Sequence, residues 1–255
     1  MIEMIHPPIH ITFLYNAAVL IRCDNVSVLI DALYRQQVPG LSAPSEPVLE
    51  EILRGEGAFA HLDCLLCSHR HADHFSPELT AGYLRLHRPG LALFPRECRA
   101  ALSALPPERL ATAHWLFQTG SRAYPLPNGN RVTALRTTHT GTQFRDVAHY
   151  SYLLELCGRR IFLAADATGL HNDFSLLPGC READAFVVNP LFIAHSSGRK
   201  ALQALRPGAL CVYHIPAKAD DGGNYRSLTK YCLQRYGAEW NNPLAFWEEG
   251  QTVVI

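Results

Sequence analysis

His69, His71, Asp73 and His74 fall within six residues of chain, in the stretch 67–75 (Cys-Ser-His-Arg-His-Ala-Asp-His-Phe). Imidazole nitrogens and carboxylate oxygens are the donors that zinc and similar divalent ions take. A lone histidine is more often an ordinary polar side chain, but four such donors together are poorly explained as a solvated loop. Their density points to more than one ion. In extended chain His69 and His71 face the same side, because side-chain direction alternates with period two. A turn after them would let Asp73 and His74 reach a second ion.

The elements that must position this cluster can be read around it. The apolar run 62–67 leads into it as a buried strand. Upstream, residues 9–15, 17–22 and 26–30 are β-type runs broken at Asn16 and at Asp24-Asn25, the spacing of an antiparallel meander. Asp31 closes the third run; a carboxylate there could orient a ligand histidine or simply form the turn. Residues 33–47 carry three prolines and read as a loop, followed by a helix over 46–55 that Gly55 stops. Downstream, Ser76-Pro77-Glu78 is a helix start, with Ser as cap, Pro in the first position and an acid in the first turn. That helix runs to about 87, a strand covers 91–94, and a further helix is expected over 96–105. Short strands are expected at 114–117 and 121–124, with a longer one at 131–138 that delivers His139. A hairpin over 150–156 and 160–164 turns at Cys157-Gly158 and ends at Asp166. A strand at 185–188, a helix at 198–205, a strand at 209–213 ending at His214, a helix at 224–236 and two closing strands within 244–255 complete the chain. His139, Asp166 and His214 each stand just past the end of a short apolar strand, as the first cluster does. Ligands at one rim of a sheet can converge.

The whole chain sets bounds on this picture. Its 255 residues, 48% hydrophobic, can bury a sizeable core, and the pattern shows no linker, repeat or low-complexity segment. The 23 basic and 23 acidic residues cancel, so net charge predicts no polyanionic partner. No apolar run approaches the roughly 20 residues that span a bilayer. Residues 1–12 lack a charged-then-apolar export signal, which predicts a cytoplasmic protein. The eight cysteines are scattered and are expected to be free and structural. Cys64 and Cys67 would face opposite sides of a strand and could not easily share an ion.

Taken together, these residues resemble the metallo-β-lactamase-fold hydrolase superfamily over nearly the whole chain. The signature His-x-His-x-Asp-His matches His69, His71, Asp73 and His74, and the later ligand positions match His139, Asp166 and His214. The resemblance implies a single α/β domain built as a four-layer αββα sandwich, with a two-metal site at one edge. It also implies that His69, His71 and His139 hold a first ion, that Asp73, His74 and His214 hold a second, and that Asp166 bridges them. The ions would be two divalent cations, zinc first, with manganese or iron as alternatives. The stretches 158–166 and 212–216 look most like the branch containing ascorbate-6-phosphate lactonase. Some positions depart from the family pattern. Ala165 replaces the usual Gly before the bridging Asp, and Thr138-His139-Thr140-Gly141-Thr142 only partly matches the Gly-His-Thr-rich stretch of glyoxalase II and class B β-lactamases. Within these 255 residues, neither a nuclease-type insertion nor a flavodoxin domain is expected.

Such a centre lowers the pKa of a shared water so that hydroxide exists near pH 7, and Asp73 would hold and orient that nucleophile. His195 and Lys218 lie in loops that could line the rim and contact a substrate anion, although solvent-facing is the commoner state of such loop residues; Tyr225 and His149 are in the same position. Three functions compete: a hydrolase of small-molecule esters, lactones or related acyl bonds, a phosphodiesterase, and a non-catalytic ligand-binding protein. Filled ligand positions disfavour the last. A ring of Arg or Lys around the metals would favour phosphate esters over acyl substrates. The expected partner is a small molecule rather than nucleic acid, and the sequence leaves the oligomeric state open.

Overall fold

The computed structural model describes residues 6–24 and 26–255. Residues 1–5, within the stretch assessed for an export signal, and Asn25, within the break after the second strand, lie outside the described residues. Strands β1 (Ile9–Phe13), β2 (Val19–Cys23) and β3 (Val26–Ile30) form the expected antiparallel meander. Helix α1 (Glu46–Arg54) leads to β4 (Cys64–Leu66), and α2 (Pro77–Leu86) leads to β5 (Leu91–Pro95) and then β6 (Ala113–Leu116). These three strands continue the sheet parallel to β3. A second sheet opens with β7 (Ser121–Pro125), β8 (Arg131–Thr137), β9 (His149–Leu156) and β10 (Arg159–Leu163), all antiparallel. It continues in parallel through β11 (Ala185–Val188), β12 (Ala209–Val212) and β13 (Pro243–Ala245), connected by α3 (Pro190–Ala194), α4 (Ser196–Leu205) and α5 (Tyr225–Tyr236). The last strand, β14 (Thr252–Val254), returns to the first sheet beside β1.

Side-chain alternation assembles the layers. Ile9, Ile11 and Phe13 of β1, Cys64 and Leu66 of β4, Ile161 and Leu163 of β10 and Cys211 of β12 all enter one core between the sheets. The intervening Leu65 packs outward against Leu49 and Ile52 of α1 and Leu79 of α2. Phe162, Phe186 and Leu210 pack outward against Phe192 of α3, Leu202 of α4 and Cys232 of α5. Parallel strands covered on both faces are apolar throughout, as β4, β11 and β12 are. The architecture is a four-layer αββα sandwich. No helix among the described residues is long and apolar enough to cross a membrane.

Local signals explain the helix ends. Gly55 adopts φ 64° at the end of α1, and the Ser76 hydroxyl accepts from the Leu79 amide at the start of α2. Two expectations are corrected. Residues 96–105 form two 3-10 turns, Arg96–Cys98 and Ala100–Leu102, rather than one helix. Cys98, Leu102 and Leu105 still reach the core, and Pro106-Pro107 stops the segment before regular helix can extend. The two short strands expected at 114–117 and 121–124 are present as β6 and β7, each the edge strand of a different sheet, and the chain crosses between layers at Thr119-Gly120. Not every cysteine is free, because Cys23 at the end of β2 and Cys157 in the β9–β10 turn form a disulfide, Cα atoms 6.5 Å apart. Their 134-residue separation leaves no local pattern to reveal the pair. The other six are free and buried, and Cys64 and Cys67 fall in cores on opposite faces of the first sheet, as their spacing requires.

Candidate metal centre

β3, β4, β8, β10 and β12 all end at the same rim of the two sheets, the rim opposite the disulfide. Asp31 follows β3, the 67–75 stretch follows β4, and His139, Asp166 and His214 follow β8, β10 and β12. Bonds across the layers fix this rim: the Tyr150 amide donates to Ser68 O at 3.0 Å, and the Tyr152 hydroxyl donates to Cys67 O at 2.7 Å. Asn16, at the β1–β2 turn, bridges to Ile215 just after His214.

All seven side chains expected as ligands meet here. His69 Nε2 lies 2.9 Å from His71 Nδ1 and 3.2 Å from His139 Nε2. His74 Nε2 lies 3.3 Å from His214 Nε2, and Asp73 Oδ2 is 3.5 Å and 3.6 Å from those two nitrogens. Two imidazoles bound tetrahedrally to zinc place their nitrogens about 3.3 Å apart, given Zn–N distances near 2.0–2.1 Å. Asp166 touches both groups, with Oδ2 3.5 Å from His139 Nε2 and 3.6 Å from His74 Nε2, and Oδ1 3.2 Å from His214 Nε2. That Oδ1 is buried without a hydrogen-bond partner, as a ligand atom aimed at a cation would be. His69–His71–His139 and Asp73–His74–His214 are each compact enough to hold an ion, as is His69–His74–Asp166 between them.

The far side of each ring sets which nitrogen is free. Ser68 Oγ donates to Asp31 Oδ2 at 2.6 Å, so it accepts from His69 Nδ1 at 2.9 Å and leaves His69 Nε2 as a lone pair. His74 Nδ1 donates to Asp31 Oδ2 at 2.9 Å, and His139 Nδ1 to the Thr140 carbonyl. Asp31 Oδ1 also accepts from the Ser68 amide at 2.7 Å. Asp31 is therefore both the orienting group and the turn former, because it turns with φ 48°. Burial pushes the His69, His71 and His139 imidazoles below their ordinary range, keeping them neutral. Burial opposes charge on Asp73 as well, but His74 and then His214 outweigh it and bring its carboxyl down to about 2. His74 is raised well above its usual value, since Asp73, Asp166 and Asp31 together overcome its burial. Three carboxylates around one imidazole leave an excess of negative charge that a divalent cation would offset.

Backbone strain collects at the same rim. Asn16, Asp31, Ala165 and His214 have φ between 47° and 57°, a region that costs a non-glycine residue roughly 1–2 kcal/mol. Ala165 makes plain why Gly suits the position before Asp166.

His149 is neither a loop residue nor solvent-facing. It begins β9, fully buried behind His69 and His139. The Asp166 amide donates to His149 Nε2 at 3.0 Å, so Nδ1 carries the proton and donates to Thr137 Oγ1 at 2.7 Å. Ser151 continues this polar cluster, its hydroxyl donating to Ala164 O at 2.8 Å. Nothing in the local sequence separates this histidine from a surface one; neither Ser68 nor Asn16, whose amide donates to Asp73 Oδ2 at 3.4 Å, was legible as part of the site. His149→Leu removes the acceptor of a buried amide beside Asp166. It is expected to cost about 1–3 kcal/mol in chemical denaturation, and unchanged stability would remove this role from His149.

A cavity of about 590 Å³ opens above the cluster, with His71, Asp73, His139, Asp166 and His214 in its wall. Phe144 packs against the His71 and His139 rings, centroids 4.6 and 4.8 Å away. His195, between α3 and α4, lines the cavity although it is largely exposed. Lys218 is exposed and does not line it. Tyr225 lines it too, and its phenol is raised by burial and by the nearby Asp166 and Asp73. A Cβ on Gly223 would sit 2.5 Å from the Tyr225 ring, so this ring position needs glycine there.

Comparison of the sequence with models of protein families, and with characterised proteins, finds no match. Solved structures do match. CmlA, a diiron β-hydroxylase from Streptomyces venezuelae, is 15% identical with a TM-score of 0.63; the match covers 99% of this chain and 55% of CmlA, so the chain spans about half that protein's length. Igni18, a metallo-hydrolase from the archaeon Ignicoccus hospitalis, is 16% identical with a TM-score of 0.63, covering 97% of this chain and 98% of its own. YhfI, a metallo-β-lactamase fold protein from Bacillus subtilis, is 14% identical with a TM-score of 0.60, covering 96% and 99%. The chain has the metallo-β-lactamase fold.

Proposed function

We propose that this chain is a metal-dependent hydrolase that uses two divalent cations, zinc first, to cleave an ester, lactone or related acyl bond in a small molecule. The observation that carries this reading is the convergence of seven His and Asp side chains, in two groups joined by Asp166, beneath one open cavity that five of them line. The likeness to metal-dependent hydrolases of the same fold supports it. In this reading His69, His71 and His139 hold one cation, Asp73, His74 and His214 the other, and Asp166 lies between them. When bound, the cations supply Lewis acidity and hydroxide near neutral pH.

The residues of the chain do the rest. Asp73, ionised and steadied by Asn16, is placed to accept a proton from an attacking water and keep it oriented. The Ser68–Asp31 network holds His69 and His74 in the required tautomers, and His149 holds the Asp166 backbone. Phe144 shields two of the imidazoles on the cavity side. Iron is the main alternative metal, given the diiron chemistry of CmlA.

The experiment is a panel of lactones, carboxylic esters, thioesters, β-lactams and phosphodiesters, run with zinc-, manganese- and iron-loaded protein. Cleavage of an acyl substrate in at least one metal form, abolished by chelator and restored by metal, is expected. Turnover that persists without metal, or cleavage of phosphodiesters alone, would overturn the proposal.

A further inference from the structure

Resting on the hydrolase reading above, the chemistry of the cavity wall limits which acyl compounds can enter. Its volume of about 590 Å³ falls inside the roughly 300–1,000 Å³ range of small-ligand sites. Val38 and Leu41 from the loop before α1, Phe144 from the loop after β8, and Pro190 and Leu191 at the start of α3 form an apolar wall. Among the described residues no Lys or Arg lines the cavity, and the acids that do, Asp73 and Asp166, belong to the His/Asp cluster.

Gln143, His195 and Tyr225 supply polar groups to the cavity away from this wall, while Asn189 and the nearby arginines are committed elsewhere. Asn189 lines the cavity, but its Oδ1 accepts from the Phe192 amide at 2.9 Å and its Nδ2 donates to Ala165 O at 2.7 Å. Arg226, next to Tyr225, donates to Pro216 O at 3.0 Å, Trp247 O at 2.8 Å and Glu248 Oε1 at 2.8 Å. Arg199 of α4 donates to the Ile193 and Ala194 carbonyls. A charged group laid against the Val38, Leu41, Phe144 and Leu191 wall would lose water there and meet no Lys or Arg counter-charge, which burial of a charge requires. An apolar chain in the same place gains from burial.

We infer that the substrate carries its reacting acyl group on an uncharged, apolar chain or ring that lies against Leu41, Phe144 and Leu191, and that compounds with an anionic group at the far end are excluded. This selects acyl substrates over phosphorylated ones by the wall of the cavity rather than by its floor.

The test separates binding from turnover. Straight-chain carboxylic acids of four to eight carbons, which mimic hydrolysis products, are titrated calorimetrically into metal-loaded protein. The matching ω-carboxylates and ω-phosphates follow, and the methyl esters of all three series are assayed. Affinity is expected to rise about fourfold per methylene, with a negative heat-capacity change, and the ω-anions are expected to bind at least about 30-fold more weakly than the methyl-ended chains. Leu191→Arg is expected to reduce or reverse that discrimination. No binding of any chain, affinity independent of chain length, or ω-anions bound as tightly as alkyl chains would overturn the inference. Chain-length selectivity without ester cleavage would sink the hydrolase proposal and leave this one standing. Cleavage with a preference for ω-anions would overturn this one alone.

Discussion

Asp166→Ala and His69→Ala are each expected to lose tightly held metal and hydrolase activity together. Asp166 contacts both nitrogen groups, with 3.5 Å to His139 and 3.2 Å to His214, so its removal opens both halves of the centre at once. It also leaves Asp73 as the one carboxylate among the six remaining side chains, a single negative charge against two dications. His69 sits at the middle of the first group, within 3.2 Å of both His71 and His139 ring nitrogens. Losses should exceed the roughly 10- to 100-fold effects typical of groups that only orient ligands. Elemental analysis of each purified variant, with activity measured on the same sample, is the check. Full activity with stoichiometric metal in either variant would remove that residue from the mechanism.

Asp31→Ala carries the second large expectation. Its carboxylate is buried and accepts three hydrogen bonds, from the Ser68 amide, the Ser68 hydroxyl and His74 Nδ1. Truncation frees Ser68 Oγ, so His69 loses the acceptor that fixes its tautomer, and His74 loses its partner outright. Breaking a buried charged pair by removing one side costs roughly 3–5 kcal/mol, and loss of an orienting carboxylate lowers metal affinity roughly 10- to 100-fold. Asp31→Asn should recover part of the stability, because its Oδ1 can still accept from the Ser68 amide. Denaturation and competitive metal titration read the two effects separately. Wild-type metal affinity in Asp31→Ala would mean that Asp31 shapes the turn and nothing more.

Much of the centre was legible in the sequence because its residues follow one rule: a short apolar strand, then a side chain able to bind a metal. His69, His139, Asp166 and His214 are all found that way, and period-two alternation assigns their strands to layers. What could not be seen depends on contacts between distant segments. His149 is a polar residue at a strand start, and only the fold shows that it lies under Asp166. The Cys23–Cys157 bond joins two turns brought together when the sheets stack. β6 and β7 are adjacent in sequence, yet packing sends them to different sheets. The helix expected over 96–105 failed for a local reason, since its apolar spacing fits 3-10 turns nearly as well over so short a run. That no described Lys or Arg lines the cavity wall is likewise a property of the fold, because Arg199 and Arg226 are near in sequence to lining residues but are tied to backbone carbonyls.

The central claim is a two-metal centre, and metal stoichiometry tests it most directly. Protein stripped with chelator, reloaded with zinc, manganese or iron and freed of excess ion should retain two ions per chain in at least one case, with hydrolytic activity rising as the pair of sites fills. Retention of no ion, or full activity at one ion per chain with the Asp73–His74–His214 group empty, would contradict it.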